Sequence, residues 1–290
     1  MSIKTVLVCG AGLMGHGIAQ ECAVAGRSVF LFEPDRSRSE AGIARIAANL
    51  ERAVTKEKLA RQERDAALGR IRIADSMGGA VSQSDLAIEA VYEDEAVKRS
   101  LFAELDQRAP EHTIFASNTS SISITRLATA VRPPRRARFI GMHFFSPVPV
   151  MPLIELVRGA ETTDATETEI RELAAGLGKQ VIVSRDRPGF IVNRVLMPYL
   201  AEAMRAYDEG LGTAEDIDAG VRHGLSHPMG PLELSDFIGL DVCLHVMEVL
   251  HEGFHQPQFA PPPILRQLVD AGYLGQKTGR GFYRYPREGA

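Results

Sequence analysis

The stretch TVLVCGAGLMGHGIAQECAVAGRSVFLFE, from Thr5 to Glu33, decides the fold. Its first six residues are a β-branched apolar run closed by glycine. GAGLMG (10–15) then fits G-x-G-x-x-G, and LMGHGIAQECAVAG (13–26) is small, apolar and helix-compatible, with Gly26 as a stop signal. SVFLFE (28–33) is the next strand and ends on an acid 23 positions after Gly10. A strand, a glycine turn, a helix and a strand ending in an acid at that offset form a dinucleotide-binding unit. Gly10 permits the tight turn, Gly12 lets a pyrophosphate approach the backbone, and Gly15 lets helix and strand pack closely. Leu13 and Met14 fill the variable positions of the loop and are candidate cofactor contacts. The free N–H groups of the first helical turn meet the anion. Glu33 would accept hydrogen bonds from the ribose hydroxyls, favouring NAD over NADP, although the nearby Arg36 and Arg38 weaken that exclusion.

Beyond this unit the alternation continues. Ile43, Ile46, Leu50 and Val54 mark one face of a long helix, and a second follows near 61–68, so an excursion spans about 38–68. IRIAD (71–75), DLAIEAV (85–91), TIFAS (113–117) and RFIGMHF (138–144) read as buried strands, with a helix over 96–107. A helix over 162–178 and a strand over 179–184 follow. This pattern predicts an α/β fold with a doubly wound, Rossmann-type parallel sheet. From Phe190 on there is no convincing strand. Helical stretches at about 190–209, 213–223, 231–252 and 261–271 predict a second, all-helical domain. RDRPG (185–189) is the boundary, giving domains 1–186 and 187–290.

The 290 residues suit two domains. With 45% apolar and 24% charged residues, wholesale disorder is excluded. A net charge of −4 without a basic tail argues against nucleic acid or an anionic membrane as partner. No window is long and apolar enough to span a bilayer. Cys9, Cys22 and Cys243 form no C-x-x-C pair, which fits a reducing compartment. The first strand begins near Lys4, leaving no room for a targeting segment, so the expected location is cytoplasmic. His251-Glu252-Gly253-Phe254-His255 fits H-E-x-x-H, the zincin pattern. Gly253 inside it and Pro257 beyond it indicate a helix end, so the motif is read as chance and no metal is expected.

Seven segments, in order, resemble the short-chain L-3-hydroxyacyl-CoA dehydrogenases, a family that includes the 3-hydroxybutyryl-CoA enzymes. They are GAGLMGHGIAQ (10–20), AIEAVYED (87–94), FASNTSS (115–121), GMHFFSPVPVMPLIELV (141–157), PGFIVNR (188–194), HPMGPLELSDFIGLD (227–241) and LGQKTGRGFYRYP (274–286). The resemblance covers essentially the whole chain. It implies NAD-dependent oxidation of a 3-hydroxyacyl-CoA, with the acyl-CoA entering between the domains, its CoA part near the 38–68 helices, and a homodimer formed through the helical domain. On its own, a histidine in an apolar strand is more often a satisfied core residue than a catalyst. The resemblance places the catalytic histidine on His143 and its partner carboxylate on Glu155, an acid set among Leu153, Ile154, Leu156 and Val157. It places a substrate-contacting serine on Ser120, otherwise a turn or helix cap, and an oxygen-binding asparagine on Asn193. Cofactor contacts fall on Glu93, Lys98 and Lys277. For the two lysines, an exposed ion pair or helix face is the competing reading. Ser146 stands in HFFSP where the family commonly has asparagine, which leaves cofactor affinity and acyl preference open. Two extra residues around VRPPRRAR (131–138) are expected as a loop insertion. The alternatives are the same fold acting on a carrier-protein-bound hydroxyacyl group or a sugar acid such as gulonate, or a non-catalytic dinucleotide-binding protein.

Overall fold

The computed structural model describes residues 3–286; residues 1–2 and 287–290, the outer ends of the two expected domains, lie outside it. The chain divides into two compact units, one running to Arg187 and the other starting at Pro188.

In the first unit β1 (Thr5–Cys9), β2 (Ser28–Phe32), β3 (Ile71–Ile73), β4 (Leu86–Glu89), β5 (Ile114–Ser117), β6 (Phe139–Phe144), β7 (Leu153–Arg158) and β8 (Gln180–Arg185) form one sheet. Its order is β3-β2-β1-β4-β5-β6-β7-β8, so strand order reverses at β1, beside β4. The helices are α1 (Leu13–Val24), α2 (Arg36–Thr55), α3 (Arg61–Gly69), α4 (Met77–Val81), α5 (Glu95–Asp106), α6 (Ile124–Ala128), α7 (Pro133–Arg136) and α8 (Asp164–Gly176). The first six strands run parallel. The last two depart from the all-parallel expectation: β7 returns antiparallel to β6, and β8 pairs parallel to β7. The link from β6 to β7 is too short for a crossover helix, and such a link can join only antiparallel neighbours.

Successive side chains of a strand point to opposite faces. Val6, Val8, Leu86, Ile88, Ile114, Ala116, Ile140 and Met142 share one core with Ile18 of α1 and Ile170 of α8. The alternate residues, including Glu89, Phe115, Ser117, Phe139, His143 and Glu155, face the other way. There Phe102 of α5 packs 5.8 Å from Phe115 and 4.6 Å from Phe139 between ring centroids. The expected insertion at 131–138 is not a bare loop. It forms the one-turn helix α7, whose buried Arg135 bonds to Asp106 (3.0 Å) and to the carbonyls of Ala109 and Thr113. With the Glu111 carbonyl as a fourth hydrogen-bonded partner, that burial is tolerable.

The second unit holds α9 (Val192–Asp208), α10 (Ala214–Gly224), α11 (Pro231–Ile238), α12 (Leu240–Phe254) and α13 (Pro263–Asp270). The stretch expected as one helix over 231–252 is two, broken at Gly239, whose φ of 102° no helix accepts. Leu200 and Met204 of α9 and Met247 and Leu250 of α12 are among its core residues. Buried Asp236 fastens the segment after α13: it accepts from the N–H groups of Phe282 (3.0 Å) and Tyr283 (2.9 Å). A Cβ on Gly281 would lie 1.9 Å from its Oδ1. His255 is the left-handed C-cap of α12, so it has left the helix that carries His251. Among the described residues no three His, Cys, Asp or Glu side chains are placed to hold a metal. Nor is any helix among them long and apolar enough to cross a membrane.

Candidate active site

The glycine loop leaves β1 at the strand-order reversal, the place where open α/β sheets bind ligands. Gly10 has φ 102°, and a Cβ there would lie 2.4 Å from the Ala90 carbonyl oxygen. A Cβ on Gly15 would lie 1.8 Å from the Gly10 carbonyl oxygen. Gly12 differs: a Cβ there would meet nothing within 4 Å. Two glycines are thus needed by the fold, and the third faces open space at the start of α1. Leu13 is exposed, while Met14 packs onto the sheet core. Glu33 follows β2 directly and accepts from the N–H of Ala11 (3.2 Å), so its carboxylate lies beside the loop. Arg38 approaches it at 3.9 Å. Open backbone at Gly12 and a carboxylate across the loop fit the pyrophosphate and ribose of a dinucleotide.

A second set of polar side chains gathers where β4, β5, β6 and β7 meet. His143 and Glu155 are directly opposed across the antiparallel β6–β7 pair. His143 Nδ1 lies 3.1 Å from Glu155 Oε2, with Glu155 fully buried and His143 7% exposed. An ionised carboxylate only accepts, so in this contact Nδ1 is the nitrogen that donates, and in the neutral imidazole that tautomer puts the lone pair on Nε2. The antiparallel turn-back of β7 makes this pairing possible: direct opposition puts both side chains on one face, close together. Asn118 Oδ1 accepts from the N–H of Phe144 (2.9 Å) and ties the end of β5 to that of β6.

The loop after β5 is held by Glu93. Its Oε1 accepts from Thr119 Oγ1 (2.6 Å) and from the N–H of Ser120 (2.9 Å). Its Oε2 lies 3.0 Å from Lys98 Nζ. Burial works against the Glu93 carboxylate, but Lys98 and these donors outweigh it and hold its pKa below the ordinary value. Lys98 is not the exposed helix residue of the competing reading. It is 1% exposed and is also paired with Glu89. The structure therefore brings Glu93, Lys98 and Ser120 together, and pairs His143 with Glu155. Ser146 is exposed just after β6. Asn193, in the first turn of α9, and Lys277 belong to the second unit, where Lys277 is paired with Asp241.

Among the residues of this site that sequence reading passed over are Glu89 and Asn118. For Glu89 the signal was available: an acid inside the apolar run DLAIEAV has the same setting as Glu155 inside LIELV. For Asn118 there was none, because its partner is a main-chain group on another strand.

Residues 5–187 match the family model for the 3-hydroxyacyl-CoA dehydrogenase NAD binding domain, and residues 189–285 match the model for the C-terminal domain. The chain belongs to the 3-hydroxyacyl-CoA dehydrogenase family. A 3-hydroxybutyryl-CoA dehydrogenase of Bradyrhizobium diazoefficiens is 50% identical over 283 residues, 98% of this chain and 96% of that one. One from Mycobacterium tuberculosis is 48% identical over 286 residues, 98% of this chain and 99% of that one. The crystal structure of (S)-3-hydroxybutyryl-CoA dehydrogenase PaaH1 from Ralstonia eutropha matches with a TM-score of 0.95 at 46% identity. That match covers 99% of this chain and all of PaaH1. As a member of the family, the chain is an NAD-dependent oxidoreductase whose first unit carries the NAD binding domain.

Proposed function

We propose that this 3-hydroxyacyl-CoA dehydrogenase interconverts an L-3-hydroxyacyl-CoA and the 3-ketoacyl-CoA, with 3-hydroxybutyryl-CoA as its substrate. The observation that supports the reading most is the His143–Glu155 pair at 3.1 Å. Oxidising a secondary alcohol removes a hydride from carbon and a proton from oxygen. NAD, when bound, supplies the hydride acceptor. His143 Nε2 takes the hydroxyl proton, near neutral pH, as a general base. Glu155 fixes the tautomer and stabilises the imidazolium that forms, the orienting role a carboxylate plays in hydrolase triads. In the reverse direction the same imidazolium returns the proton to the ketone oxygen.

Ser120 and Asn193 bind the reacting oxygen in this reading. Glu33 takes the adenosine ribose, and Gly10, Gly12, Leu13, Met14 and Gly15 form the pyrophosphate loop. Glu93, Lys98 and Ser146 serve the nicotinamide end, and Lys277 is a further cofactor contact in this reading. Basic side chains of α2 and α3 meet the CoA phosphates. Two copies associate through the helical unit, and the enzyme works in the cytoplasm. The test is NADH absorbance with 3-ketoacyl-CoA substrates of four to sixteen carbons, beside a carrier-bound ketoacyl group, and NAD reduction with gulonate. The reading expects the fastest turnover on acetoacetyl-CoA. Turnover confined to the carrier-bound substrate or to gulonate would overturn it.

A further inference from the structure

Glu89 ends β4 with a fully buried side chain, and no step above uses it. Its Oε1 accepts from the N–H of Val91 (2.8 Å) and from Lys98 Nζ. Its Oε2 accepts from Ser117 Oγ (2.6 Å). Ser117 Oγ in turn accepts from the N–H of Thr119 (3.3 Å), and Thr119 Oγ1 donates to Glu93 (2.6 Å). Lys98 Nζ, bonded to both carboxylates, closes the circuit. Glu89, Lys98, Glu93, Thr119 and Ser117 thus form a ring of hydrogen bonds, and the N–H of Ser120 is bonded to one of its members.

The two carboxylates divide their oxygens. Glu93 gives one to Lys98 and the other to the 119–121 loop, so the position of Lys98 sets the rotation of Glu93 and hence the loop. Lys98 is held by Glu89 on its other side. Stability is a weak reason for this arrangement, since buried ion pairs roughly break even against apolar replacements. A ring that fixes one loop beside the reaction has a functional reason.

We propose that Glu89 is a positioning residue for the reaction: through Lys98 and Glu93, and through Ser117 and Thr119, it holds Ser120 where the reacting oxygen is bound. This rests on the reading that Ser120 contacts that oxygen. The Glu89 side chain is fully buried, so its effect passes through the loop.

The test is a double-mutant cycle on the full-length enzyme with Glu89→Gln and Ser120→Ala, reading kcat/KM for acetoacetyl-CoA. Glu89→Gln lowers it on the order of tenfold in the wild-type background and has little further effect beside Ser120→Ala, the non-additivity of residues acting in one network. In the unliganded protein, Glu89→Gln also shifts the amide resonance of Ser120. Should Glu89→Gln not fold, Ser117→Ala removes one donor to Glu89 and enters the same cycle with a smaller, equally non-additive loss. Equal fold-losses in both backgrounds would reduce Glu89 to a structural residue. Wild-type kcat/KM in Ser120→Ala would overturn the role of Ser120 itself, and the proposal with it. A wild-type enzyme inert toward acetoacetyl-CoA would instead strike at the proposed reaction.

Discussion

Two ends of one sheet edge are built in different ways. At the β1–β2 end, the glycine loop and Glu33 come from a single run of 24 residues, Gly10 to Glu33, and each part acts almost alone. At the β4–β7 end, Glu89, Glu93, Lys98, Ser117, Ser120, His143 and Glu155 come from four strands, a helix and the loops after β4 and β5, and Glu89, Glu93, Lys98 and Ser117 each join more than one partner. A side chain that acts alone contributes binding energy that its removal simply subtracts. A side chain in a network carries its neighbours' geometry, so its removal reaches atoms it never touches. The first end should therefore lose cofactor affinity when mutated, and the second should lose turnover and stability.

The largest break in that comparison is at the imidazole. His143→Gln is expected to lower turnover roughly 10²–10⁴-fold, the range for a positioned acid–base group. NADH affinity, followed by fluorescence titration, should stay close to wild type. A variant with near-normal turnover would remove His143 from the chemistry. Next comes the ammonium. Lys98→Met leaves the fully buried Glu89 and the part-buried Glu93 without a counter-ion, and breaking a buried pair costs about 3–5 kcal/mol. Urea denaturation monitored by circular dichroism reads this. A loss below about 1 kcal/mol, the scale of a surface ion pair, would mean that Lys98 is not buried in solution.

What the sequence made legible follows the same division. The glycine spacing and the acid after β2 are local, so Gly10, Gly12, Gly15 and Glu33 could be read by pattern alone. The His143–Glu155 pair could not, because it depends on β7 turning back against β6, and the sequence pattern indicated a parallel sheet. Only the family resemblance placed those two residues. Lys98 was misjudged as a possible surface residue because lysines are almost never fully buried unless paired. Its partners lie nine and five residues upstream, on the end of β4 and in the loop before α5. The break at Gly239 was missed because LELSDFIGLD keeps an apolar pattern through it.

At the other end, Glu33→Ala should weaken NAD binding by about 1.5–3 kcal/mol, the worth of hydrogen bonds to a charged group, or roughly 10- to 150-fold in Kd. Turnover at saturating NAD should change much less, which is the contrast with His143→Gln. Gly12→Ala sharpens the point: open space above Gly12 means an unchanged melting temperature and a lower NAD affinity. Gly15→Ala should lower both, since its Cβ would strike the Gly10 carbonyl. Equal behaviour of the two alanine variants would show that the loop is not divided between packing and binding.

The smallest expected effect concerns α5, which carries Lys98 and ends at Asp106. Asp106 is buried, and burial pushes its carboxyl pKa up. Hydrogen bonds from the side chain and N–H of Arg132 and from Arg135 outweigh that and hold the pKa below the ordinary carboxylate range. A folded-state pKa below the unfolded value of about 3.9 stabilises the fold above that pH. The contribution is lost as pH falls from there through the depressed folded value. Thermal melts of wild type and Asp106→Asn across acid pH should converge over that window and stay apart above it. The far end of α5 is pinned by this carboxylate, so Asp106→Asn should shift the Ser120 amide signal more than those of Ala11 and Gly12, which belong to the self-contained loop. Equal shifts at both ends would mean that the two halves of the sheet edge respond as one.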